Sequence, residues 1–212
     1  MLWDYIVKGG YLMFLIGISS IISLAIFIER FFYLKKTEKD NKTFLDQLFQ
    51  KINKKEIPEA IVLCDHSKNI MGSVISKTVL IKSDRSRSEL KDSIEEAANR
   101  EIPKLETRIS ILGTIASIAP LLGLLGTVLG LISSLEVLSK EGQSTIGATE
   151  DVWRIRLLEG IWTALITTAG GLIVAIPSLT GYNYLVSKIS NLVTYTRNKT
   201  IELIEIIGSQ SD

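Results

Sequence analysis

No charged residue occurs between Ile109 and Leu135, a run of 27 residues reading ISILGTIASIAPLLGLLGTVLGLISSL. A helix needs roughly 20 apolar residues to cross a bilayer core, so this stretch is long enough to span one and unsuited to the half-wet surface of a soluble domain. Its pattern narrows the choice further. Gly113, Pro120, Thr127 and Ser134 recur every seven residues, and Ala116, Gly123 and Gly130 fall between them at the complementary spacing. On a helix both series share one face, with leucines filling the rest. A stripe of small and hydroxylated residues either lets a second helix approach closely or lines a polar path. The run alone leaves both readings open.

Two further uncharged runs, Gly9–Ile28 and Gly160–Ser187, hold 20 and 28 residues, so each can also span. Mean hydropathy is +0.28, and a net charge of only +1 gives no basic footprint for nucleic acid. The chain is therefore expected to be an all-α integral membrane protein with three transmembrane helices, spans two and three extended into a cytoplasmic helical domain. No cleavable signal pattern opens it: Asp4 accompanies Lys8, and the first apolar run ends in Glu29-Arg30 rather than at a small-residue cleavage site. The expected division is an interfacial, periplasmic lead-in at 1–10, transmembrane helix 1 at 11–33, a cytoplasmic helical domain at 34–108, transmembrane helix 2 at 109–136, a periplasmic loop at 137–158, transmembrane helix 3 at 159–187 and a cytoplasmic C-terminal helix at 188–212.

The orientation follows from charge. Residues 35–108 carry 16 of the 24 Lys and Arg residues against 13 Asp and Glu, and basic loops stay on the cytoplasmic side. With three spans, this puts the N-terminus outside and the C-terminus inside. The insert reads as helical hairpins. Phe44, Leu45, Leu48, Phe49 and Ile52 form one amphipathic face, Ile57-Pro58 opens a helix with proline in its first turn, and Met71–Ile81 gives another. Ser86-x-x-Glu89 is a capping-box pattern opening a long helix whose apolar positions, Leu90 through Leu105, continue into Ile109 and the second span. Glu29 and Arg30 close the first span as possible charged contacts. Cys64 is the only cysteine and His66 the only histidine. They form no metal site, and Cys64 is expected at a surface or half-buried helix end. No nucleophile–base pair or metal cluster appears, so no catalytic residue, no cofactor and no enzymatic activity are expected.

The third run, GIWTALITTAGGLIVAIPSLTGYNYLVS, places Thr163, Thr167 and Gly170 on one face with Thr168 and Gly171 beside them. Thr127 lies nine residues from Glu136 and Thr168 nine from Glu159, roughly 13 Å in at 1.5 Å per residue. Pro120 and Pro177 also fall at similar levels. A threonine hydroxyl both donates and accepts, so two spans presenting hydroxyls at one depth could serve a proton path; the alternative is back-bonding to each helix's own carbonyls. Neither span contains an Asp, Glu, His or Lys in its interior. If protons pass here, the titratable group comes from a partner helix.

SIAPLLGLLGTVLGLI and EGIWTALITTAGGLIVAIPSLTGYN resemble the ExbB/TolQ/MotA proton-channel family, most nearly ExbB and then TolQ, and the resemblance covers nearly the whole chain. It implies a bacterial inner-membrane motor subunit that, with an ExbD-like partner, uses the proton motive force to energise a TonB-like protein for outer-membrane active transport. The partners it implies are a homo-oligomer, a pentamer in the family, and an ExbD/TolR-like single-span protein, a dimer in the pore, in addition to the TonB-like protein and the lipid bilayer. By motif position Thr127 and Thr168 match the family's pore threonines, with Thr163 and Thr167 beside them on the pathway. Pro120, Gly123, Gly126, Gly130, Gly170, Gly171 and Pro177 match helix-packing or kink positions. Where well-studied members carry a glutamate before the ALI motif this chain has Thr163, and Glu159 sits one turn earlier. A TolQ-like role in a Tol-Pal envelope system, a motility stator, and a non-conducting helical scaffold are the competing readings.

Overall fold

The computed structural model describes residues 10–67, 70–81, 86–141 and 150–211, and all the regular structure among them is helical. Six helices follow in order: α1 (Gly10–Asn53), α2 (Ile57–His66), α3 (Ile70–Ile81), α4 (Arg87–Glu106), α5 (Ile109–Glu141) and α6 (Glu150–Ser211). Among the described residues three stretches are long and apolar enough to cross a membrane: α1, residues Ile109–Glu136 of α5 and Leu157–Ile207 of α6. The chain is thus an all-α protein with three candidate spans. It divides into two compact units, one formed by residues 1–28 and 108–183, the other by 29–107 and 184–212.

In the first unit, spans one, two and three pack through small residues and leave their large ones outward. Ala116, Ala119, Ala164 and Ala175 are buried, while Phe14, Ile21, Leu121, Leu124, Leu165, Ile173 and Ile176 are exposed. In water this distribution would be unstable. In a bilayer it is the expected one, because apolar side chains gain nothing by leaving lipid and close packing of small residues holds the helices together.

The second unit is built in the opposite sense, with large residues inside. Leu45, Leu48 and Ile52 of α1, Ile75 and Val79 of α3, Ile94 of α4 and Leu185, Ile189 and Leu203 of α6 are buried, the arrangement of a water-soluble helical core. Within it α3 packs against both α2 and α4. A buried Asn41 Nδ2 donates to Thr196 Oγ1 at 2.7 Å, joining α1 to α6 through a satisfied polar pair. α1 ends in a left-handed residue, Lys55, at φ +61°. The amides of Lys55 and Glu56 donate back to the carbonyls of Ile52 and Lys51, the reciprocal pair that closes a helix C-terminus. Proline stands in the first turn of α2, and Ser86 Oγ accepts from the Glu89 amide to open α4.

Three expectations change. The apolar periodicity running from α4 into the second span predicts one uninterrupted helix, but the chain breaks at Thr107 and Arg108: Thr107 leaves the helical region at ψ 134° and Arg108 takes φ +67°. A left-handed non-glycine residue ends the α-ladder whatever the side-chain pattern around it. The helices run past both ends of the stretch expected as a loop, since α5 continues to Glu141 and α6 starts at Glu150; residues 142–149, like 1–9, lie outside the described residues. Cys64 lies in the last turn of α2 but is buried at 3% exposure rather than at a surface or half-buried, and desolvation pushes its thiol pKa up to about 11.

Candidate functional site: the small-residue seam of spans two and three

The stripe identified on the second span faces the third. Gly123 lies against the backbone of Thr167 and Thr168, where an added Cβ would come 3.0 Å from the Thr167 carbonyl oxygen and the Thr168 Cα. Gly171 answers from α6: a Cβ there would sit 2.5 Å from the Ala119 carbonyl oxygen. Gly130 meets the Gly160 carbonyl at 3.0 Å by the same construction, and Gly126 and Gly160 press on the side chains of Thr167 and Ser134. Only residues without a Cβ permit backbones to approach this closely, which is what the glycine spacing on both helices encodes. Gly170 faces the other way, against the thioether of Met13 on α1.

The four threonines separate into two environments. Thr168 is half-buried, and its hydroxyl donates across the seam to the Gly123 carbonyl at 3.1 Å. Thr127 is half-buried too, and its hydroxyl donates to its own helix at the Leu124 carbonyl, 2.6 Å away. Thr167 is 1% exposed and satisfies its hydroxyl within α6, on the carbonyls of Thr163 and Ala164 at 3.1 and 2.9 Å. Thr163 lines a cavity of about 560 Å³ together with Thr167, Glu159, Ser133, Ser134 and Leu12, a cavity that neither Thr127 nor Thr168 touches. Thr163 and Thr167 therefore turn towards the side of the seam on which α1 contributes Gly10, Tyr11 and Leu12.

Both prolines lie inside their helices. Each removes one amide from the ladder and frees the carbonyl four residues earlier, Ala116 for Pro120 and Ile173 for Pro177. Pro120 is half-buried and Pro177 exposed. A contact not signalled by the sequence joins spans one and three: Ser23 and Ser178, both buried, share a hydrogen bond of 2.5 Å. Ser178 also back-bonds to Val174.

Of the possible charged contacts, Glu29 is exposed and Arg30 is 8% exposed. The Arg30 guanidinium lies 5.2 Å from the Tyr33 ring centroid, a cation–π contact that offsets part of its desolvation. In the second unit Glu38 bonds Lys42 at 2.9 Å and Lys188 at 3.0 Å. These two lysines, in that order, hold its carboxyl below the ordinary value. Among the described residues no group of three His, Cys, Asp or Glu side chains could hold a metal ion.

Comparison with known proteins supplies the deciding observation: the model of the MotA/TolQ/ExbB proton channel family matches residues 65–198. The chain belongs to that family. It is 31% identical over 204 residues to the Tol-Pal system protein TolQ of Haemophilus influenzae, covering 91% of this chain and 85% of that protein. An ExbB-like protein of Synechocystis is 31% identical over 196 residues, covering 92% of this chain and 74% of the other. The biopolymer transport protein ExbB of Xanthomonas campestris is 37% identical over 109 residues, 51% of this chain and 40% of that protein. The matched stretch contains both membrane helices of the seam, so the threonines and glycines above belong to the part of the chain that carries the family.

Proposed function

We propose that this chain is the channel-forming subunit of a proton-driven motor of the ExbB/TolQ type, seated in a bacterial inner membrane with its basic helical unit in the cytoplasm. The observation that carries the reading is the seam itself. Two spans offer hydroxyls at Thr127 and Thr168 and contain no Asp, Glu, His, Lys or Arg from Ile109 to Leu135 or from Gly160 to Ser187. Hydroxyls can relay a proton only between titratable groups. The missing carboxylate is therefore supplied in trans by an ExbD/TolR-like single-span protein, around which several copies of this chain assemble, five by family precedent. The chain itself performs no covalent chemistry. The exposed apolar surface of its spans is shared between lipid and neighbouring copies.

Its downstream client is a TonB-like protein driving outer-membrane uptake. The TolQ-like alternative has an observation of its own in the match to TolQ over most of both chains. Native mass spectrometry of the chain co-expressed with a single-span ExbD/TolR-like partner tests the motor reading. A complex of five copies with two partners is the expected mass, and a chain that stays free of any single-span partner would favour a non-conducting scaffold. Growth on iron chelates against resistance to detergent in a deletion strain separates the two clients.

A further inference from the structure

Glu159, Thr163 and Thr167 stand at i, i+4 and i+8 on α6, which stacks them on one side of the helix over roughly 12 Å of its length. All three line the cavity between the spans, and α5 adds Ser133, Ser134 and Gly130 to its wall. Its volume, about 560 Å³, has room for on the order of ten waters, each needing two to four polar partners. The carboxylate of Glu159 and the hydroxyls of Ser133 and Thr163 supply such partners. Glu159 is exposed and Thr167 nearly wholly buried, so the polar lining starts at an open carboxylate and stops at a closed hydroxyl. The close contact of Thr167 with Gly126 forms that closed end, on the helix that carries Thr127 at the next position.

We propose that this cavity is a water-filled vestibule within a single subunit, and that Glu159 at its mouth gathers protons from the periplasmic side and passes them along the vestibule water towards the α5–α6 seam. The proton is taken up by the Glu159 carboxylate and released to a vestibule water, with no bond to the protein broken and no redox partner needed. The proton-gathering role rests on the motor reading above; the hydration of the cavity does not.

Two measurements on the full complex in liposomes separate these parts. In a Cys64→Ser background, Thr163→Cys and Ile132→Cys each lie four residues inside a boundary glutamate, Glu159 and Glu136, but only Thr163 lines the cavity. A charged, membrane-impermeant thiol reagent should label Thr163→Cys at least ten-fold faster than Ile132→Cys. Equal rates would overturn the vestibule. Proton flux should fall about ten-fold in Glu159→Gln and recover in Glu159→Asp. Undiminished flux in Glu159→Gln, with Thr163→Cys still labelled fast, would overturn the role of Glu159 alone. A parent complex with no flux would overturn the motor reading and that role with it, while the labelling ratio would still decide whether the cavity is wet.

Discussion

The Thr168 hydroxyl spans from the third membrane helix to the Gly123 carbonyl of the second, 3.1 Å away, at a point where no side chain stands between the two backbones. The hydroxyl thus has a structural bond at rest, and in the function proposed above the same proton is the one a partner's carboxylate would compete for.

Replacing Thr168 by valine keeps the shape and removes that bond. Bonds of this kind in membrane helices contribute about 0.6 kcal/mol, so the complex should still assemble with a slightly lower melting temperature in detergent. Proton-driven function should nonetheless be lost, as it should in Thr127→Val. Normal activity in both variants, with the oligomer intact, would remove these hydroxyls from the pathway.

The glycines should divide by what a methyl group would meet. Gly171→Ala and Gly126→Ala drive a Cβ into the Ala119 carbonyl and the Thr167 side chain, whereas Gly17 has nothing within 4 Å of the corresponding point. Overpacking of this sort costs about 1–3 kcal/mol. Thermal unfolding in detergent should show both seam variants destabilised and Gly17→Ala unchanged. A Gly171→Ala protein as stable as the parent would mean that the seam is looser than its geometry.

Cys64 should be inert to iodoacetamide at pH 8 in the folded protein, since the reactive thiolate forms only near pH 11. Its folded pKa lies above the ordinary 9.0. The folded state therefore binds more protons in that interval, and stability intact below pH 9 should decline as pH rises towards 11. A Cys64→Ala variant should lack this component of the alkaline decline; an equal slope in parent and variant would assign it elsewhere.

Glu38 works in the opposite sense. Its carboxyl is held below the ordinary 4.5 by hydrogen bonds from Lys42 and Lys188, so its contribution is present above that value and is lost as pH falls through and below it. The pairs are solvent-accessible, and such pairs contribute little. Glu38→Gln should cost much less than the seam substitutions at pH 7, and that cost should shrink as pH falls below 4.5. A penalty that stays constant as pH falls would show that packing, not charge, is what Glu38 provides.

The spans were legible because lipid leaves a strong mark: twenty or more residues without charge have few other uses. The seam was legible because close backbone approach demands glycine, and Gly123, Gly126, Gly130 and Gly171 have no other reason to be spaced as they are. The helical wheel of the third span already set Thr163, Thr167 and Gly170 apart from Thr168, but did not tell which group faces the second span. Counting residues from Glu136 and Glu159 gives depth along an axis, but the five positions from Thr163 to Thr168 also turn the helix by about 140°, enough to put them on different sides of one seam. The break at Arg108 was equally hidden, since Leu105 and Ile109 keep the helical spacing of apolar residues across it and nothing in an arginine announces a positive φ.

Where two helices touch through carbonyl oxygens and Cα atoms, as at Gly123, Gly130 and Gly171, neither can adjust by changing a rotamer. The second and third spans form a single stave of fixed cross-section. In the motor proposed above, movement is then expected at the outer faces of that stave, between it and whatever stands beside it.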